Sequence, residues 1–378
     1  MKGTVYRKLR PDGRTSRWYA VIDLPPGPDG RRRQRTTTHD TKKQAQEALA
    51  QTVLELRSGE AHDSKVTVAE FLVDWLNGKE SIRPSTRQAY EVHVVVHIVP
   101  AVGHLCLLDL RSHHIEAMYR SIALANASRE RPVGPATMRR IHATFMSALN
   151  TAVRRGVIRR NPAATVELAR AAVATTTVWT VEQAAAFLEV TRGDPLALLY
   201  RILLNGGLRR GEVVGLRWAD ADLATGELRI AQQVVLVAGE AHVGPPKSAT
   251  GVRPISLDQQ TVELLRKHHL QELLANPATG SPMPVEQLVF TKGEGSGLNP
   301  AHVSRHFAQL VARAALPPIR LHDLRHTSAS LGLASGESLL EVSRRLGHSS
   351  ITITADTYAH VSTGAAQRSA QRLGDQLG

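Results

Sequence analysis

Two stretches near the C-terminus decide how this chain is read: "HDLRHTSAS", His322 to Ser330, and "LGHSSITITADTYAH", Leu346 to His360. They bring His322, Arg325, His326, His348 and Tyr358 within forty residues of one another. Such a cluster can bind a metal, fill a core, or act on the backbone of a nucleic acid. The rest of the chain narrows the choice.

A length of 378 residues suits two or three domains. Hydrophobic residues make up 42%, enough for packed cores, while aromatics at 4% are expected to leave those cores to Ala, Val and Leu. The single cysteine, Cys106, excludes a disulfide framework or a cysteine-rich zinc site and points to a reducing cytoplasm. The opening MKGTVYRKLRPDGR has no apolar core, so no secretion signal is expected there. No apolar run is long enough for a membrane span. The net charge of +13 and pI near 10.3 call for a polyanionic partner. Residues 1–43 alone carry 12 Lys/Arg against 4 Asp/Glu, and this concentration favours nucleic-acid binding over a merely solubilising charge.

The fold expected is multidomain and mainly α with small β elements. TVYRKL, RWYAVIDL and RRQRTTT read as three strands separated by the turn signals PDGR and PPGPDG. Thr41 and Gln44 form a capping box for a helix whose apolar stripe is Ala45, Ala48, Leu49, Val53 and Leu56, stopped at Gly59. This gives a domain over 1–60: a small basic sheet on one helix, with Arg31, Arg32, Arg33 and Arg35 on or beside the third strand. A polar linker, GEAHDSK, leads to a helical bundle over 66–165. It opens on the Thr67–Glu70 capping box, with further helices near 85–98, 112–125 and 136–155. Arg83, Arg87, Arg139 and Arg140 are its candidate phosphate contacts. The stretch RAAVATTTV is a second linker, and a mixed, mainly helical region covers 178–378. One strand pair is expected there, LRIAQQVVLV with VRPISL, with Lys247 at the tip of the joining loop. The tail VSTGAAQRSAQRLGDQLG is partly amphipathic through Val361, Ala365, Leu373 and Leu377.

The metal reading of the C-terminal cluster rests on HDLRH, which looks like the zincin H-E-x-x-H. Three features weigh against it. Arg325 inside the run would repel a cation, aspartate is too short for the usual glutamate base, and no downstream ligand stands at a known spacing. GEGSGL, at 293–298, lacks the strand-to-helix context of a dinucleotide site, and no G-x-S-x-G elbow exists. The phosphate reading uses more of the residues. His322 and Arg325, three apart, share a helix face, and an imidazole beside a guanidinium suits the two non-bridging oxygens of one phosphodiester. Gly206 and Gly207 lead into Arg209 of GLRRGEVVGLRW, Lys247 can reach a ligand on its long stem, and the Tyr358 hydroxyl can attack phosphorus.

Order and spacing together give a resemblance. The region closely resembles the catalytic domain of the tyrosine recombinases, the phage-integrase family. Arg209, with Glu212 as its acidic neighbour, matches the first arginine box, and Lys247 in PPKSATGVRPISL matches the hairpin lysine. His322 and Arg325 match H-x-x-R, Leu346-Gly347-His348 match L-G-H, and Tyr358, ten residues on, matches the nucleophile. No catalytic position departs from the family pattern. The helical segment more loosely resembles the family's core-binding domain, and the basic N-terminal sheet the arm-binding domain of lambda-type integrases.

The resemblance implies a site-specific integrase that cuts and rejoins double-stranded DNA through a 3′-phosphotyrosine, with no metal, ATP or other cofactor. Arg209 and Arg325 would clamp the phosphate, with His348 adding a hydrogen bond. His322 would take the proton of Tyr358, and Lys247 would protonate the leaving 5′-oxygen. It further implies a tetramer on two DNA sites working through a Holliday junction in the cytoplasm of a bacterial host, aided by a directionality factor and a host DNA-bending protein. A chromosome-dimer resolvase of the same family and a catalytically silent DNA-binding regulator are the alternatives. The extra N-terminal residues favour the integrase, and the intact catalytic set argues against the regulator.

Overall fold

The computed structural model describes residues 3–9, 16–24, 33–57, 66–126, 132–168, 177–275, 287–292 and 296–358, with a few more at the C-terminus. These divide into two compact units, Met1–Ala172 and Val173–Gly378. The boundary falls inside the linker RAAVATTTV.

The first unit opens with an antiparallel sheet, β1 (Gly3–Leu9), β2 (Ser16–Leu24) and β3 (Arg33–His39), in that order. Helix α1 (Lys42–Arg57) follows, its start capped by the Thr41 hydroxyl accepting from the Gln44 N–H. Side chains alternate across a sheet, so register sorts its faces. Ala20 and Ile22 are buried and Gly3 lies against Leu49 of α1, which marks the helix side. Arg35 pairs with Ile22 and therefore belongs by alternation to that same side, at the edge strand. The opposite face carries Tyr6 stacked on Tyr19 at 5.6 Å, with Lys8 paired to Arg17 and Tyr19 to Thr38. Among the described residues its cations are Lys8 and Arg17, which the sequence does not single out. Arg33 opens β3. Arg31, Arg32, Gly59 and both predicted turns lie outside the described residues.

The same unit holds the helical bundle. It comprises α2 (Val68–Asn77), α3 (Pro84–Val92) continuing as a π-turn (His93–Ile98), α4 (Val99–Val102), α5 (Ser112–Ala125) and α6 (Pro135–Arg154). The expected capping box is present, with Thr67 and Glu70 bonding each other's backbone N–H. Phe71, Leu72 and Trp75 of α2 pack with Ile98, Ile115, Met118, Phe145 and Leu149, and the Trp75 indole donates to Thr151 on α6. Arg87 is half-exposed and donates to the Leu76 carbonyl and to Glu91, tying α3 to the end of α2. Arg83, Arg139 and Arg140 are exposed.

The second unit contains α7 (Val181–Val190), α8 (Ala197–Gly206), α9 (Arg210–Val214), α10 (Gln259–Ala275), α11 (Pro300–Arg313), α12 (Asp323–Ser335), α13 (Leu339–Leu346) and α14 (Ile351–Tyr358). Its core is mostly Leu and Val, as composition leads one to expect, with a knot of aromatics among them. Trp179, Phe187, Tyr200 and Phe307 gather there with ring centroids 5.1 to 5.9 Å apart. Such rings bury large areas and prefer these tilted contacts.

The expected single strand pair is two sheets. LRIAQQVVLV breaks into β5 (Glu227–Ile230) and β6 (Gln233–Val237). β5 pairs with β4 (Ala221–Asp222) and β8 (Arg253–Ser256), while β6 pairs with β7 (Glu240–Gly244), a strand hidden in the predicted loop. The β6–β7 turn is Ala238-Gly239, both with positive φ (51° and 89°), the geometry of a two-residue hairpin. Lys247 is consequently not at the hairpin tip. It lies past β7, in the segment that returns to β8.

Candidate active site

A cavity of about 420 Å³ in the second unit is lined by Arg209, Lys247, Ser248, His322, Arg325, His326, Gly347, His348, Ser349, Ile353 and Thr357. Five of the six residues expected to act on a phosphodiester thus share one space. The sixth, Tyr358, is buried at 2% exposure among Ala329, Val342 and Leu346.

Two left-handed glycines aim the arginines. Gly207 (φ +62°) closes α8, and its carbonyl accepts from Arg325 Nη1 at 2.7 Å. Gly347 (φ +67°) closes α13, and its carbonyl accepts from Arg209 Nη2 at 3.3 Å. An L side chain is costly in this conformation. A Cβ on Gly347 would also lie 2.8 Å from the Thr250 carbonyl. Arg325 donates again to the Leu346 carbonyl at 2.6 Å. Two of its five donors thus fix the fork, and the others remain for an oxyanion.

Glu212 sits between cations. It is 1% exposed, accepts from Arg209 Nη1 at 2.7 Å and from Arg253 Nη2 at 3.0 Å, and takes the Arg209 backbone N–H at 2.9 Å. Burial pushes its carboxyl up, but the hydrogen bonds and charge of Arg253 and Arg209 outweigh that and hold it below the usual carboxylate range. Arg325 responds oppositely: burial and the adjacent Arg209 pull it down to about 9, still cationic at neutral pH.

The histidines are kept neutral. Withdrawal from water, then the charges of His326 and Arg325, pull His322 down to about 4. The same burial, followed by Arg325 and Arg209, puts His348 at about 4. Thr354, fully buried, hydrogen-bonds His348 Nδ1 at 2.8 Å and fixes its ring. His326 is lowered as well, mainly by burial, with Asp323 working against it. Burial raises Tyr358 to about 12 despite the nearby Arg325.

The partner of the Tyr358 hydroxyl is His326, whose Nδ1 lies 2.7 Å away. His322 was the expected proton acceptor, but its ring meets the His326 ring edge-on at 5.4 Å instead. In the sequence His326 stands out only in the zinc reading of HDLRH. Its i+4 spacing from His322 was visible, but its pairing depends on where α14 packs. Arg253 was likewise missed, because within VRPISL it reads as an ordinary strand residue. Among the described residues no three His, Cys, Asp or Glu side chains gather where they could hold a metal ion. No helix among the described residues is long and apolar enough to cross a membrane.

Residues 177–364 match the phage integrase family. Curated relatives include a "Tyrosine recombinase XerC-like" protein of Caldanaerobacter subterraneus subsp. tengcongensis, 25% identical over 343 residues, covering 85% of this chain and 86% of the relative. The ICEBs1 integrase of Bacillus subtilis is 26% identical over 282 residues, 74% of this chain and 72% of the relative. The Tn1549 transposon integrase, solved in complex with a circular intermediate DNA, superposes with a TM-score of 0.67 at 20% identity, covering 82% of this chain and 100% of that one. That last likeness confirms the mainly helical fold with small antiparallel sheets. With the arginine, histidine and tyrosine boxes converging on one cavity, the chain belongs to the phage integrase family and is a site-specific tyrosine recombinase, an enzyme of DNA cleavage and rejoining.

Proposed function

We propose that this recombinase is an integrase of a phage or other mobile element, inserting and excising that element through a covalent 3′-phosphotyrosine. The observation that carries the residue assignment is the convergence of Arg209, Lys247, His322, Arg325 and His348 on one cavity, with Tyr358 a single hydrogen bond behind it through His326.

Phosphodiesters resist attack because they are anionic and their alkoxide leaves poorly. Arg209 and Arg325 take the two non-bridging oxygens, each fork already aimed by a glycine carbonyl. In this reading Thr354 donates to Nδ1, so that His348 carries its proton on Nε2 and offers it to the same phosphate, and neutral His322 adds a further contact. Tyr358 oxygen bonds to phosphorus while the bond to the 5′-oxygen breaks. The phenolic proton passes to His326 Nδ1, and Lys247 supplies a proton to the departing 5′-oxygen. Rejoining runs the same step backwards with another strand's 5′-hydroxyl, so no ATP is consumed and no cofactor is needed.

Residues 1–60 serve as an arm-type DNA-binding domain, 66–165 as the core-binding domain and 178–378 as the catalytic domain. The free face of the N-terminal sheet supports this with Lys8, Arg17 and two stacked tyrosines. Exposed Arg139 and Arg140 on α6 are the core-site contacts. A tetramer acts on two sites through a Holliday junction in the bacterial cytoplasm, with a directionality factor and a host DNA-bending protein as partners.

The test is Tyr358→Phe on a nicked substrate that traps the covalent intermediate. The variant should fold and bind DNA as the parent does, yet form no protein–DNA adduct. An adduct that persists means the nucleophile lies elsewhere.

A further inference from the structure

We propose that Arg253, which touches none of the reacting atoms, is a positioning residue that sets the loop carrying Lys247 and thereby aims the leaving-group acid. The inference rests on the reading of Lys247 as that acid.

Arg253 opens β8 with its side chain 5% exposed. Its guanidinium joins three separate pieces of the second unit. Nη1 donates to the Gly251 carbonyl at 2.9 Å, Nη2 and Nη1 donate to Glu212 at 3.0 and 3.3 Å, and Nε donates to the Arg345 carbonyl at the end of α13. A buried cation is tolerated only when bonded in this way.

The Gly251 contact is the one that reaches Lys247. Residues 249–251 form a short 3-10 turn, with Gly251 N–H bonded to Ser248 O at 2.9 Å. Gly251 is packed so closely on Pro246 that a Cβ there would lie 2.5 Å from the proline Cβ. On its other side the loop rests on α13, where Thr250 O and the Arg253 guanidinium crowd Gly347. The residues on both sides of Lys247 are thus fixed to a frame that Arg253 closes. Lys247 itself is exposed and hangs on a flexible stem, so its reach to one oxygen depends on where its backbone is held. Charge balance alone would not need an arginine here, because a lysine can face Glu212. Only a planar fork bonds Glu212, Gly251 and Arg345 at once.

The leaving group provides the test. When sulfur replaces the bridging 5′-oxygen, the P–S bond breaks to give a thiolate, which at a thiol pKa of about 8.5 departs without a proton. The full-length chain would be assayed for cleavage of nicked oxygen- and sulfur-bridged DNA as Arg253→Lys, Gly251→Ala and Lys247→Ala. Lys247→Ala should lose about a hundredfold on oxygen and recover on sulfur. Arg253→Lys keeps the charge facing Glu212, so it should lose about tenfold on oxygen and come within about threefold of the parent on sulfur. Gly251→Ala disturbs the loop while leaving every charge in place. It should show the same recovery and stands in if Arg253→Lys does not fold. Equal losses on both substrates for Arg253→Lys and Gly251→Ala, beside a rescued Lys247→Ala, would overturn the role of Arg253. A Lys247→Ala enzyme that sulfur fails to rescue would remove Lys247 as the acid, and this inference with it.

Discussion

Tyr358 directs its hydroxyl at His326 Nδ1, 2.7 Å away, and not at the histidine of the H-x-x-R box. For the proposed attack the phenol, raised to about 12, needs an acceptor within hydrogen-bond reach. His326→Ala should therefore slow adduct formation by about a hundredfold and make the residual rate climb with pH, as hydroxide takes over. His322→Ala should lower the rate without changing the shape of its pH profile. The opposite pairing of profiles would return the base to His322.

Acid should weaken the fold over a defined window. His322 and His348 sit at about 4 in the folded chain and near 6.5 when unfolded. Between those values the unfolded chain binds more protons, so the stability these two histidines contribute falls as pH drops from 6.5 towards 4, and their own part of the loss is complete below that. Thermal midpoints measured from pH 7.5 to 4 should show this fall, and a His322→Asn/His348→Asn chain should show a shallower one.

Glu212→Gln removes the one carboxylate held between Arg209 and Arg253. Breaking a buried pair this way typically costs about 3–5 kcal/mol. Urea unfolding should report a loss of that order, with cleavage strongly reduced because the Arg209 fork is no longer held. A loss below about 1 kcal/mol, within the range of a surface pair, would show that Glu212 does not organise the clamp.

Cleavage should survive excess chelator, since guanidinium groups supply the charge stabilisation that a divalent ion gives elsewhere. Activity that vanishes with chelator and returns with zinc would revive the HDLRH metal reading.

Deleting residues 1–60 should abolish arm-site binding and integration of full attachment sites, while cleavage of an isolated core site continues. The lost affinity should be steeply salt-dependent, each phosphate contact contributing a slope of about −0.9 in log K against log salt. Within the domain, Lys8→Ala and Arg17→Ala should weaken arm binding more than Arg35→Ala, because register places the first two on the free face.

The arginine, histidine and tyrosine boxes are legible because each is a short contiguous signal whose spacing is set by one helix or one turn. Arg209 with Glu212 is a helix start, His322 with Arg325 one turn of α12, and Gly347 the left-handed end of α13. The relations that escaped the sequence join distant elements. The His326–Tyr358 bond needs α12 and α14 side by side, and Arg253 reaches Glu212 across 41 positions. The hairpin was misjudged for a local reason. Ala238-Gly239 is a weaker turn signal than the proline-rich run after it, so sequence alone gives loop for β7 and puts Lys247 at its tip. The basic N-terminal run was conspicuous as charge, but which face each residue takes depends on strand register, which composition does not encode.

Three guanidiniums, those of Arg209, Arg253 and Arg325, surround a single buried carboxylate at Glu212. Their mutual repulsion is relieved by any multivalent anion that enters the cavity, and binding of that kind raises stability by mass action. The folded catalytic unit should accordingly behave as an anion sensor, with sulfate raising its melting temperature more than chloride at equal ionic strength. Off its substrate the enzyme would then be least stable in dilute, weakly anionic buffer, so DNA would serve as a folding ligand as well as the reactant.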